Sequence, residues 1–366
     1  MAQQQVFEVS RRGLIGSAAL AGLAATVPAH AAPGAAPHFV LMPRPTRVFK
    51  TADRGHENTE SWIFSLIVQS TAPEALTPAA MTVELLKAGA VVRTTHYPAA
   101  GFAPLTYHTG FAPALSDGSA SPVPIFWPFL IRLRQTEPVA LGVDAMRIAV
   151  TADGANSGRG TAALTVPIET YVQKTALVFP FRGKGIVLQA GATNGGHRNR
   201  SGAFALDAMG LDDAWSVEAP GDGKKNTDYP GFGRTLIAPA DGIVMHARGD
   251  RPDQPVGDAS DPAFFAPEFV KLGGGDPGNH VVIDHGNGEF SMIAHFMAGS
   301  LLVKAGDAVK RGQPLGKLGH SGDTNAPHCH YQLQAGPDWQ NADALPARFS
   351  NVDQAILDRG TYFEAA

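Results

Sequence analysis

Gly319-His320-Ser321-Gly322-Asp323-Thr324-Asn325-Ala326-Pro327-His328-Cys329-His330-Tyr331-Gln332-Leu333 is the stretch on which the reading of this chain turns. Its first half is turn sequence, rich in Gly, Ser, Asp and Asn, and after Pro327 it becomes strand-like. Residues two apart on an extended strand share a face. His328 and His330 therefore present two imidazoles side by side, with Cys329 on the opposite face. Two neutral imidazoles on one rigid edge suit a zinc site, which commonly takes three protein ligands and a water. Alone, the pair says little. Thirteen histidines in 366 residues give roughly half an H-x-H per chain by chance.

Outward from this stretch, the texture from Thr175 onward is uniform. Eight of the thirteen histidines fall here. Gly195-Gly196-His197 lies in a glycine-rich loop, and Phe204-Ala205-Leu206-Asp207 reads as a short strand. Leu236 to Val244 is strand, tight turn, strand, with Asp241-Gly242 in the turn, where Gly is expected to supply positive φ. Asn279–Asp284 and Met292–Phe296 are further strands. Val303 to Gly316 makes paired turns that lead back into the opening stretch.

This order of segments resembles the M23 family of zinc metallopeptidases, the LytM/lysostaphin type that cuts peptidoglycan cross-bridges, over roughly residues 175–350. The family's first ligand, from a Gly-rich loop, matches His197, and its second, an Asp after an Ala-rich strand, matches Asp207. Its Ala-Pro-x-Asp-Gly turn stands as Ala238-Pro239-Ala240-Asp241-Gly242. Its Tyr-Ala-His-Leu motif appears as Ile293-Ala294-His295-Phe296, and its Pro-His-Leu-His-Phe motif as Pro327-His328-Cys329-His330-Tyr331. The resemblance implies that His330 is the third metal ligand, that His295 and His328 are catalytic, and that one Zn2+ is held per chain. Three departures stand out. His197 and Asp207 are ten residues apart, wider than the H-x-x-x-D of shorter members. Ile293 replaces Tyr, an expected loss of a hydroxyl near the substrate. Cys329 replaces Leu, where a small apolar thiol can pack.

Two imidazoles and a carboxylate fill three zinc positions and leave a fourth for water, whose pKa falls toward 7. A neighbouring neutral imidazole can take a proton from that water, or a protonated one can stabilise the developing oxyanion. The other histidines read as structural or unassigned. His285 sits in a turn, and His280 is either strand packing or a residue near the substrate. His246 and His320 have no assignment, and His96 and His108 read as loop or surface. His56-Glu57 fails as an H-E-x-x-H helix because residue 60 is Glu60.

Residues 38–172 read as a run of short strands. Trp62–Val68 is apolar enough for a strand covered on both faces. Met81, Val83 and Leu85 alternate with polar residues, and Lys87-Ala88-Gly89-Ala90 reads as a hairpin turn. Ile125–Leu133, Met146–Val150 and Leu164–Ile168 follow. This spacing suggests a β-sandwich resembling an immunoglobulin-like domain. Its role is open: positioning or gating the second unit, or docking a regulatory partner.

The first 31 residues read as a twin-arginine signal peptide. Arg11-Arg12 precede a modest apolar run, Gly13 to Val27, and Ala29-His30-Ala31 offers small residues for cleavage. The implied destination is periplasmic or secreted. No later apolar stretch is long enough to anchor the chain. A formal net charge of -4 with no basic runs disfavours nucleic acid. The single cysteine, Cys329, excludes an intramolecular disulfide.

The expected architecture is therefore all-β: signal peptide 1–31, β-sandwich 38–172, and an antiparallel M23-like peptidase domain 175–366. The expected activity is hydrolysis of peptide bonds in peptidoglycan cross-links. The alternatives are a catalytically inactive cell-wall-binding regulator of other hydrolases and a biotinyl-like carrier, whose modified lysine the turns lack. A serine hydrolase is disfavoured because no G-x-S-x-G occurs.

Overall fold

The computed structural model describes residues 38–366 apart from 45–46, 54–55, 72–73, 75, 103–105, 108–128, 191–196, 198–200, 218–220, 258–259, 273–274, 353–356 and 358. The paired arginines with their apolar run, His108, Gly195-Gly196 and residues 125–128 thus lie outside the described residues.

Strands β1 (Phe39–Arg44), β2 (Val48–Asp53), β3 (His56–Ser70), β4 (Leu76–Lys87), β5 (Ala90–Pro98), β6 (Thr106–Tyr107), β7 (Phe129–Pro138), β8 (Ala145–Gly154) and β9 (Gly158–Thr170) make the first sheet system. Their order is β5-β4-β8-β9-β2-β3-β7-β6, with β1 on β3. β2 is the seam: Val48, Phe49 and Lys50 pair parallel with β9, and Thr51–Asp53 pair antiparallel with β3. The two halves on either side of that seam share one core. Trp62, Phe64 and Leu66 of β3 pack in it with Val83 of β4 and Ile148 of β8. Alternate residues of β8 are buried, as its sequence pattern predicts. In the β4–β5 turn, Ala88 and Gly89 both take positive φ, 48° and 80°, the backbone that a two-residue hairpin needs.

The second sheet contains β10 (Gly183–Ala190), β11 (Leu206–Gly210), β13 (Gly242–Arg248), β14 (His280–Asp284), β15 (Phe290–Ala294), β16 (Ala308–Val309), β18 (Cys329–Gln334), β19 (Ala344–Leu345) and β20 (Tyr362–Ala365). Strands β12 (Thr235–Ile237) and β17 (Pro314–Lys317) pair apart from it. The order β16-β13-β14-β15-β18-β11-β10-β20 puts β18 in the interior, between β15 and β11. All six of its residues are buried. Cys329, Tyr331 and Leu333 enter the apolar core with Phe179 and Ile293. By the strand alternation, His330, Gln332 and Gln334 occupy the opposite face. That face is buried yet polar, and the site is built on it.

The chain between the sheets is tied down. Buried Glu289, just before β15, accepts hydrogen bonds from Tyr171 Oη (2.6 Å) and from the Lys174 and Thr175 backbone N–H groups (2.8 Å each). Burial alone would raise the Glu289 carboxyl, and these hydrogen bonds hold it below its usual value. Phe49 of β2 packs against Tyr171 and Phe204. Among the described residues, no helix is long and apolar enough to cross a membrane.

Candidate metal centre

Register brings the central pair together. Asp207 of β11 and His330 of β18 are Cα partners in an antiparallel ladder, so both side chains rise from the same face. His330 Nδ1 is 3.0 Å from Asp207 Oδ1, and His197 Nε2 is 3.1 Å from Asp207 Oδ2. The ligand atoms of His197, Asp207 and His330 all lie within 4.8 Å of one another.

The proton inventory shows what this trio lacks. Gln332, two residues beyond His330 on the same face, donates its amide to Gln334 Oε1 and to the Trp339 carbonyl. Its Oε1 is thereby turned to His330 Nε2 at 3.0 Å, and that nitrogen must carry the hydrogen. His330 Nδ1 is then a bare lone pair facing a carboxylate oxygen. Buried His197 Nε2 meets only Asp207 Oδ2, without a well-aligned hydrogen bond. Acceptors converging in this way fit a cation, and two imidazoles with one carboxylate fit Zn2+.

His295 and His328 flank the trio. Their ring centroids are 4.7 Å apart, and His328 Nε2 is 3.4 Å from Asp207 Oδ1. Each donates Nδ1–H to a carbonyl, His295 to Ser321 O (2.7 Å) and His328 to Ala326 O (2.9 Å). Thr324 Oγ1 also contacts His328 Nδ1 at 2.9 Å. Both rings thus leave Nε2 for chemistry. His295 itself holds φ at 63°, a costly conformation for a non-glycine residue and one that clusters at functional sites. Two glycines allow the Ser321 turn to come so close. An added Cβ at Gly278 (φ +60°) would lie 2.3 Å from Ser321 O, and one at Gly322 (φ +83°) 2.3 Å from Gly278 N.

Burial and charge set the titration of the group. Burial alone would raise the Asp207 carboxyl, but His197 and His328 outweigh it and hold it well below the carboxylate range. Burial, with His328 and His330 packed beside it, pushes His295 well below the usual imidazole range. Burial also acts to lower His328, yet the Asp207 charge and hydrogen bond leave it raised. Two adjacent imidazoles are thus driven apart.

The remaining sequence candidates are placed elsewhere. His285 bridges Asp241 O and Ser291 Oγ at the foot of β14. His280 is buried on β14, its ring stacked on His246 and edge-on to Trp339, with Nδ1 bonded to Gly278 O. His320 is buried against Asn226 and Thr324. Ile293 faces the core, 0 % exposed. Its side chain is therefore on the other side of the sheet from His330, and the expectation of a hydroxyl lost beside the substrate does not hold. Cys329 is on that core face too, and burial raises its thiol pKa. Sequence reasoning missed Gln332, Ser321 and Thr324. For Gln332 a signal existed, the two-residue spacing from His330.

The model of peptidase family M23 matches residues 224–343, in agreement with the resemblance carried by the motifs. Peptidoglycan DD-endopeptidase ShyA of Vibrio cholerae is 45% identical over 56 residues, 15% of this chain and 13% of that protein. Peptidoglycan DD-endopeptidase ShyC of the same organism is 42% identical over 56 residues, 15% of this chain and 12% of that protein. The match thus spans about an eighth of each relative. Among solved structures, the catalytic domain of a variant of the prophage-encoded M23 protein EnpA from Enterococcus faecalis aligns at 19% identity and TM-score 0.29, covering 48% of this chain and 95% of that one. A zinc-containing peptidase from Vibrio cholerae aligns at 12% identity and TM-score 0.26, covering 82% and 85%.

Proposed function

Because residues 224–343 match peptidase family M23, we propose that this chain is an exported zinc metalloendopeptidase that hydrolyses peptide bonds in peptidoglycan cross-links. The observation that carries the reading is the trio of His197, Asp207 and His330, whose facing lone pairs call for a cation. Held by these three residues, zinc would polarise a carbonyl and acidify water.

The chain's own groups divide the proton work. His295, neutral and with Nδ1–H fixed on Ser321 O, offers Nε2 as the acceptor for the proton of the attacking water. His328, with Nδ1–H on Ala326 O and Nε2 beside Asp207 Oδ1, would when protonated offer an Nε2–H donor to the oxyanion and then to the leaving amine. Asp207 supports both by its charge. The Ser321 carbonyl holds the His295 tautomer that leaves Nε2 free to accept, and the Ala326 carbonyl orients the His328 ring.

Digestion of purified peptidoglycan by the zinc-loaded protein, with products identified by mass, tests the proposal. Release of cross-link fragments, abolished by a chelator and restored by zinc, is expected. Intact peptidoglycan beside a zinc-loaded protein would favour the alternative of a cell-wall-binding regulator. The complete trio argues against that alternative, since loss of ligands is what would mark it.

A further inference from the structure

An exposed aromatic pair lies on the second sheet's outer edge. Trp215 and Tyr362 are 40% and 52% exposed, among the largest exposed apolar side chains described. Their ring centroids are 6.1 Å apart at 66°, and Lys184 Nζ lies 4.8 Å from the Trp215 ring centroid. Lys184 also donates to Asp213 O. The loop that presents Trp215 is held by Asp212 Oδ1, which accepts from Ala214 N and Ser216 N. Trp215 sits at φ 63°, an outlier for so bulky a residue. None of these residues falls within the stretch matched by the family model.

The pair belongs to the same face as the metal centre. On β20, Phe363 and Ala365 enter the core whereas Tyr362 faces away from it. Tyr362 pairs with Ile186 of β10, and Ile186 with Met209 of β11. Met209 is two residues from Asp207, so all four side chains share one face. Two strand spacings and one two-residue step separate Asp207 from Tyr362, about 12 Å on the diagonal. Between them lie Met209, which is buried, and Ile186, which is half-buried.

We propose that Trp215 and Tyr362, with Lys184 beside them, form a subsite for an amino-sugar ring of the glycan strand, which anchors the substrate while its peptide reaches the metal centre. This rests on the peptidoglycan reading above and specifies where the glycan lies. A pyranose presents a face of C–H bonds, the complement to the negative face of an aromatic ring. The ammonium of Lys184 complements carboxylates of the stem peptide. The span fits as well: a stem of four residues reaches about 13 Å when extended, which joins a sugar at Tyr362 to a scissile bond at Asp207 and His330.

The test compares two substrates, intact sacculi and a soluble cross-linked peptide dimer freed of glycan. Trp215→Asn removes the ring while keeping a residue that tolerates positive φ, and Tyr362→Ala approaches the same subsite from another strand. Each variant should lower the ratio of the sacculus rate to the dimer rate about tenfold, the worth of one lost stacking contact. Peptide-free glycan chains should quench tryptophan fluorescence in the wild type and not in Trp215→Asn. An unchanged ratio in both variants, or no quenching by glycan in the wild type, overturns the subsite. Failure of the wild type to cut either substrate overturns the peptidase reading instead, and the quenching experiment still decides the subsite.

Discussion

His330 Nδ1 and Asp207 Oδ1 stand 3.0 Å apart across adjacent strands, and neither brings a proton to the contact. The pairing is a consequence of register. Leu206, Asp207 and Ala208 lie opposite Tyr331, His330 and Cys329, and a slip of one residue would turn Asp207 into the core. The demand for a cation is therefore written into the same ladder of hydrogen bonds that holds the sheet together.

His330→Ala removes one of three proposed ligands and should lose both metal and activity. His328→Ala and His295→Ala should keep about one zinc per chain, while turnover falls roughly 10²–10⁴-fold, the worth of a positioned acid or base. Elemental analysis beside peptidoglycan turnover checks this. A metal-free His328→Ala beside a zinc-loaded His330→Ala would reverse the two roles.

Gln332→Leu removes the acceptor that fixes the His330 tautomer. Zinc affinity, read by competition with a chromogenic chelator, should fall about 10–100-fold, and Gln332→Glu, which restores an acceptor, should recover most of it. Equal affinities for the wild type and the Leu variant would mean that the strand alone orients His330.

Gly278→Ala should destabilise the protein by at least about 2 kcal/mol, because it combines a positive φ with a steric clash. The added methyl meets Ser321, so the displaced turn should also cost turnover through His295. Urea midpoints and rates on the same preparation check both effects, and an unchanged midpoint would refute the close packing.

Burial depresses His280 to a pKa of about 4, against about 6.5 in an unfolded chain. The unfolded state therefore takes up this proton first on acidification. The contribution to stability is full above pH 6.5 and is lost as the pH falls to about 4, a change of roughly 3 kcal/mol. In urea melts at pH 7 and pH 4.5, His280→Phe should lose less stability than the wild type over that interval. Parallel losses would show that His280 protonates in place without penalty.

Replacing both Arg11 and Arg12 with Lys should retain the protein in the cytoplasm, since the arginine pair is the feature the export receptor reads. Cell fractionation decides this, and undiminished export would eliminate the twin-arginine route.

Much of the second sheet was legible because strand alternation governs it. Period two placed Cys329 in the core and His328 and His330 on the opposite face. Period two applied to Ile293-Ala294-His295 would have put Ile293 on the side of His295, but the strand ends at Ala294 and His295 takes positive φ, so the alternation breaks and Ile293 lies in the core. The hydroxyl expectation came from the family motif. What the sequence could not supply was long-range register. Nothing local to Glu289 predicts that it collects Tyr171, Lys174 and Thr175 from more than a hundred residues away. The β2 seam was equally hidden, since a six-residue strand gives no sign that it will change partners halfway.

The Glu289 clasp ties the segment that follows β9 to the start of β15. Glu289 is followed at once by β15, and β15 runs from Phe290 to Ala294, directly before His295. A pull on Tyr171 or Thr175 is delivered through one carboxylate to a single short strand, at whose far end stands the imidazole assigned to take the proton. The segment that follows β9 and the strand that leads to His295 thus share one carboxylate as a common support.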